Sequence, residues 1–268
     1  MNMLRSFLVA TALVLPMAAQ AQAPRLSEIF EAKMRPGWKT DTGTYIAALH
    51  LRLAQDWITY WRHPGESGIV PTLDTSRSRN LSNARILWPE PRLYIKAGFA
   101  SIGYSDEIVL PIELTPEDAG QPVELDGVLS VGVCADICIP VDLALNVVAQ
   151  GSGAPDTMIS SAMTRRPKAA QSAGLQGMNC SITPDKRGLR LSASLQIPPQ
   201  GHEEFVLVEM LGSTMPARVL PTERNGDTLT GHTLFRTKSG GGIDRSAVRI
   251  SVISEHGTSV HHGCALSD

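Results

Sequence analysis

An all-β protein, two β-sandwich domains joined by a short helix, is the fold class that these 268 residues predict. Three observations carry the prediction. Apolar and polar residues alternate with period two over many short runs, the pattern of half-buried strands. Turn formers separate the runs, with 23 Gly and 18 Pro in the chain. Between two such regions lies one clear helical period with its own cap and stop.

The chain is 43% apolar and 19% charged, too apolar for a disordered protein and too punctuated for a coiled coil. Its 24 basic and 26 acidic residues leave a formal charge of −2. No global field gathers nucleic acid or anionic lipid, so no nucleic-acid partner is expected.

Residues 1–21 read as an export signal. Arg5 supplies a positive start, residues 7–15 a short apolar core, and Ala19-Gln20-Ala21 a small-x-small cleavage site. The apolar core is about 10 residues, well short of the roughly 20 that cross a bilayer. Farther on, the most apolar stretch, 128–148, is broken by Asp136, Pro140, Asp142 and Asn146, so no stable membrane insertion is expected. The mature protein should be soluble and, in a host with a double envelope, periplasmic, where disulfides form.

Strands follow in order. Ile46-Ala47-Ala48-Leu49-His50-Leu51-Arg52-Leu53, then 107–114 and 123–129, show the period-two texture. It returns at 189–195, 204–211 and 248–253, with Asn225-Gly226-Asp227 as a tight turn. The helical signal has Asp156 as N-cap, Met158, Ile159, Ala162 and Met163 on one face, and Arg165-Arg166 before the stop at Pro167. The expected division is a first sandwich at 27–150, a helical linker at 151–171 and a second sandwich at 172–268. Each sandwich, about 100 to 120 residues, is long enough to bury its own core.

The most informative segment is Gly132-Val133-Cys134-Ala135-Asp136-Ile137-Cys138-Ile139-Pro140. On one continuous strand the two cysteines would stand about 13 Å apart, whereas a disulfide needs Cα atoms within roughly 4.4 to 6.8 Å. The chain must turn between them to bridge them. Flanking Val, Ile, Gly and Pro favour strand, tight turn and strand over a helix.

Loop size separates the possible roles of the cysteine pairs. Closing the short span from Cys134 to Cys138 contributes about 2 kcal/mol at best, and closing the span from Cys180 to Cys264 about 4.6. The large loop would act as a structural staple between the first and last strands of the second sandwich. The small ring adds little stability, and strained, exposed disulfides are the ones that exchange readily. Cys134 and Cys138 are therefore the redox candidates, with a merely structural hairpin bridge as the alternative. Metal binding is a further alternative, because His261-His262-Gly263-Cys264 places soft donors together and the hairpin cysteines could add thiolates for copper(I) or zinc. Against it, there is no paired CxxC set and Cys264 has a partner in Cys180.

Taken together, several segments resemble the N-terminal domain of the thiol:disulfide interchange protein DsbD, and more closely the related ScsB-type periplasmic domains. The carrying residues are Trp57-Ile58-Thr59-Tyr60-Trp61-Arg62-His63-Pro64-Gly65-Glu66-Ser67-Gly68, Leu87-Trp88-Pro89-Glu90-Pro91, Ile102-Gly103-Tyr104, Val109-Leu110-Pro111 and the cysteine segment. They cover most of the first domain in order. The second half is similar to the extra β-domain of ScsB-type chains.

The resemblance implies an immunoglobulin-like fold whose cysteine pair takes electrons from a membrane-embedded donor and passes them to periplasmic thiol oxidoreductases, with no cofactor and no resident metal. By position, Cys138 matches the family cysteine that forms mixed disulfides and Cys134 the one that resolves them. Lys96-Ala97-Gly98-Phe99-Ala100-Ser101 matches the cap over the pair, with Phe99 as shield. Tyr60 and Trp61 fall where family aromatics line the site or else serve the core. Asp136, inside the cysteine loop, would disfavour the thiolate or simply form the turn.

Two departures stand out. The chain shows neither a transmembrane section nor a thioredoxin-like CxxC domain, so it is expected to borrow its electrons. The cysteines are separated by three residues rather than the five of DsbD itself. The leading expectation is a thiol:disulfide exchange protein, and the alternatives are a periplasmic copper-tolerance or metal-binding protein and a noncatalytic interaction module.

Overall fold

The computed structural model describes residues 25–96, 98–213, 217–236 and 242–264. The expected export signal at 1–21 lies outside the described residues, as does Ala97. Among the described residues, no helix is long and apolar enough to cross a membrane.

The first half opens with one helical turn, α1 (Leu26–Ile29). Ten strands follow: β1 (Phe30–Lys39), β2 (Tyr45–Leu53), β3 (Ile58–Gly65), β4 (Thr72–Asp74), β5 (Leu81–Ile86), β6 (Arg92–Lys96), β7 (Phe99–Ser105), β8 (Glu107–Pro116), β9 (Val123–Cys134) and β10 (Cys138–Ala149). They form two sheets, ordered β1-β2-β8-β5 and β10-β9-β3-β7-β6, with β4 on β9. Period-two patterning places Leu49, Leu51, Leu110 and Ile112 of one sheet in a single buried cluster with Trp61, Ile102, Leu129 and Val131 of the other. This is an immunoglobulin-like sandwich.

The helix after β10, α2 (Thr157–Thr164), is capped as expected. Asp156 Oδ1 accepts the backbone N–H groups of Met158 at 2.8 Å and Ile159 at 3.1 Å, and Oδ2 pairs with Arg35 at 2.6 Å. The helix also packs on the first sandwich. Ile159 and Ala162 are fully buried against Ile46, Ala48 and Val109, so α2 covers the outer face of β2 and β8. Seven consecutive residues of β2, from Tyr45 to Leu51, are consequently buried. Alternation read as one wet face is here apolar on both faces, because Ala47 and Leu49 serve the sandwich while Ile46 and Ala48 meet the helix.

In the second half, β11 (Lys168–Ala169) precedes β12 (Gly177–Asp185), β13 (Gly188–Gln196), β14 (Glu204–Met210), β15 (Ala217–Asn225), β16 (Thr228–Phe235), β17 (Val248–Ser254) and β18 (Gly257–His262). The sheets run β11-β18-β17-β14 and β12-β13-β16-β15. The turn between β15 and β16 uses Gly226 at φ +58°. Cys180 lies within β12, the first long strand of this half.

Strand β14 shows how the halves meet. Phe205, Val206, Leu207 and Val208 are all buried, so a period-two reading fails here. Val206 and Val208 pack into the second sandwich, while Phe205 and Leu207 join the cluster of the first. A buried ion network seals the same junction. Arg62 of β3 and Arg249 of β17 each donate to the Glu209 carboxylate at 2.9 Å, and Arg62 also donates to Ser251 at 2.8 Å. Burial would raise the Glu209 carboxyl, but the two guanidinium groups outweigh it and hold it below the usual carboxylate range. Arg62 is itself drawn down to about 10 by burial.

Candidate functional site

Cys134 ends β9 and Cys138 begins β10, and the two residues are cross-strand partners. The turn is closed by Ala135 N–H donating to the Ile137 carbonyl at 3.0 Å. With Cα atoms 4.1 Å apart, the cysteines are joined by a disulfide. Their exposure differs for a topological reason. Strand β9 is internal, with Cys134 opposite Ile58 of β3 on its other side, and Cys134 is only 4% exposed. Strand β10 is an edge strand, and Cys138 is exposed.

The pair opens into a cleft of about 630 Å³, lined also by Tyr60, Phe99, Ile95 and, from the second half, Glu203. Two glycines make room for the Tyr60 ring. A Cβ at Gly68, where φ is +125°, would stand 2.4 Å from the ring, and one at Gly132 would stand 3.1 Å from it. In that seat the Tyr60 hydroxyl stands 3.7 Å from Cys138 Sγ. Burial raises the phenol above its ordinary value, so the hydroxyl keeps its proton. A disulfide sulfur carries no hydrogen, so the phenol is the donor.

Trp61 is not brought to this cleft. The next residue on a strand faces the other way, and Trp61 is fully buried in the sandwich core. The Arg62 guanidinium lies 3.3 Å from its ring centre.

The expected cap segment is a β-hairpin rather than a loose loop, with Lys96 and Phe99 paired across its tip. Phe99 is 57% exposed at the rim of the cleft. Lys96 Nζ donates to Asp136 Oδ1 at 2.8 Å and to the Ala135 carbonyl at 3.4 Å, tying the hairpin to the cysteine turn. The hydrogen bond and charge of Lys96 hold the Asp136 carboxyl below its ordinary value. Asp136 is thus a paired anion, and its charge at the sulfurs is offset by the ammonium beside it.

Sequence reasoning missed three contributors. Ile95 and Ile137 are 54% and 56% exposed beside the disulfide. Ile137 had a legible signal, an apolar side chain inside a three-residue turn. Glu203 had none, because only the docking of β14 against the first half brings it near.

Cys180 and Cys264 form the other disulfide, with Cα atoms 5.7 Å apart, and both sulfurs lie in the core of the second sandwich. Every cysteine is therefore bridged. Among the described residues no group of three or more His, Cys, Asp or Glu is placed to hold a metal ion. The cysteine and histidine ligand set considered from the sequence, with His261 and His262 beside Cys264, is not assembled.

A β-sandwich that presents one sulfur of a hairpin disulfide in an open, largely apolar cleft has the geometry that thiol:disulfide exchange needs, access for an attacking thiolate. Residues 22–148 match the family described as thiol:disulfide interchange protein DsbD, N-terminal, and this part of the chain is similar to that family. The fold is similar to the N-terminal periplasmic domain of ScsB from Proteus mirabilis, known from its crystal structure. The TM-score is 0.63 at 24% identity, covering 89% of this chain and 93% of that one. No curated protein matches the chain in sequence. Thiol:disulfide exchange is the chemistry of the matched family.

Proposed function

We propose that the protein is a periplasmic electron relay working by thiol:disulfide exchange through Cys134 and Cys138. Residues 27–150 form its redox domain, 151–171 a connecting segment and 172–268 a second sandwich. A thiolate of a reduced, membrane-embedded donor attacks Cys138 Sγ, the bond to Cys134 breaks, and Cys134 leaves as a thiolate that takes a proton. The donor's second thiolate then attacks the mixed disulfide, departs oxidised and leaves both cysteines reduced. In the outgoing half, the Cys138 thiolate attacks the disulfide of a periplasmic thiol oxidoreductase, and Cys134 resolves the mixed disulfide, returning two electrons to that partner.

The observation that carries this reading is the asymmetry of the pair, an exposed Cys138 on an edge strand bridged to a buried Cys134 on an inner one. Attack follows access to sulfur. The test is trapping in a periplasmic extract. Cys134→Ala should accumulate mixed disulfides through Cys138, and Cys138→Ala should accumulate few. The reverse outcome would exchange the two roles, and no adducts with either variant would sink the proposal.

A further inference from the structure

The rim of the disulfide cleft carries charge that the exchange chemistry does not require. Asp56, in the turn between β2 and β3, and Glu203, just ahead of β14, both line the cleft and are both exposed. Lys96 is the one basic group lining it, and its ammonium is taken by Asp136. Neither carboxylate forms an ion pair among the described residues, although Glu203 also borders a neighbouring cleft lined by Arg92 and Arg165. The same disulfide cleft is lined by the exposed apolar side chains of Ile95 and Phe99, with Ile137 exposed in the adjoining turn. An exposed apolar ring around a reactive sulfur, flanked by uncompensated anions, complements a polypeptide whose cysteine lies among Lys or Arg side chains on an apolar surface.

We propose that this cleft selects partners whose reactive cysteine is flanked by basic residues, and that the second sandwich takes part in the selection through Glu203. The inference rests on the exchange function proposed above. It gives the second half a share in the redox site: the docking of β14 against the first sandwich delivers the side chain just ahead of that strand to the cleft. Selection acts at encounter and in the attacking complex, where a cationic flank is drawn toward Asp56 and Glu203 as its thiolate reaches Cys138 Sγ. It therefore weakens with salt.

Synthetic peptides test this on the full oxidised protein. One peptide has a central Cys flanked by Lys, a second has the same Cys flanked by Glu, and dithiothreitol serves as an uncharged control. Each thiol attacks Cys138 Sγ and displaces the Cys134 thiolate, and acid quenching with mass spectrometry gives the rate of mixed-disulfide formation. Every peptide is compared with itself on two proteins, so differences in thiol acidity cancel. Glu203→Gln should slow the Lys peptide about threefold and speed the Glu peptide by a similar factor, with the effect shrinking at high salt. Asp56→Asn should act in the same direction, and dithiothreitol should reduce all three proteins equally. Glu203 is exposed and makes no hydrogen bond or ion pair among the described residues, so its replacement should leave the fold intact. Normal reduction by dithiothreitol with peptide rates untouched by both substitutions would overturn the selection while leaving the exchange function standing. A Cys138 inert toward dithiothreitol would instead remove the exchange function itself.

Discussion

The phenolic oxygen of Tyr60 stands 3.7 Å from the sulfur of Cys138, in a seat that only the lack of a Cβ at Gly68 and Gly132 leaves open. The O–H that points at the disulfide is in place to donate to a thiolate when Cys138 is reduced. Tyr60→Phe should raise the Cys138 thiol pKa and slow attack by the reduced protein about three- to tenfold, the size of one hydrogen bond to a charged group. Ultraviolet absorbance of the thiolate against pH checks the first effect. An unchanged titration would reduce Tyr60 to a packing residue.

Phe99 at the cleft rim, in a hairpin tethered through Lys96 to Asp136, should limit access to the pair. Phe99→Ala is expected to speed alkylation of the reduced protein by a small reagent, and Lys96→Ala to do so to a lesser degree by releasing the tether. Equal rates in all three proteins would show that the hairpin does not cover the sulfurs.

The bridge between Cys180 and Cys264 closes a loop with a sequence separation of 84. Replacing both by Ser should lower stability by about 4 to 5 kcal/mol, a large share of the roughly 5 to 15 that a domain holds. Exchange through Cys138 should persist at low temperature. The converse pair of substitutions, at Cys134 and Cys138, should abolish exchange and shift the thermal midpoint by only a few degrees. Loss of exchange without loss of stability in the first variant would point to a second redox pair.

Glu209 makes the junction of the halves sensitive to acid. Its carboxyl is depressed in the folded state, so its contribution is present above the unfolded value of about 4.3 and is lost as pH falls through the folded value. Thermal midpoints should therefore drop on acidification below about pH 4, and Glu209→Gln should flatten that dependence. At neutral pH the same variant leaves Arg62 and Arg249 without their anion, at a cost of about 3 to 5 kcal/mol. A neutral-pH midpoint equal to that of the parent protein would show that the network contributes nothing to stability.

Features set by neighbours in the chain were legible in advance. The strand, turn and strand around Cys134 and Cys138, the Asp156 cap and the turn at Gly226 depend on a few adjacent backbone torsions and side chains. Residue type and spacing therefore determine them. The resemblance of residues 57–68 and 132–140 to a known family pointed to the chemistry in the same way, through local motifs.

Everything that depends on which surface meets which was settled by packing between distant parts of the chain. Alternation says that Tyr60 and Trp61 face opposite ways, but only the position of β3 between β9 and β7 sends Tyr60 to Cys138 and Trp61 to the core. The apolar runs in β2 and β14 became two-sided because α2 and the first sandwich cover their outer faces. Glu203 reaches the disulfide cleft, and Arg62 reaches Glu209, across sequence separations that no local period spans. Local residue types set where the chain turns and so placed Cys134 beside Cys138, whereas Cys180 and Cys264 meet only through the fold of the second sandwich. The packing of distant faces, driven by burial of apolar surface, decided which sulfur meets solvent and what surrounds it.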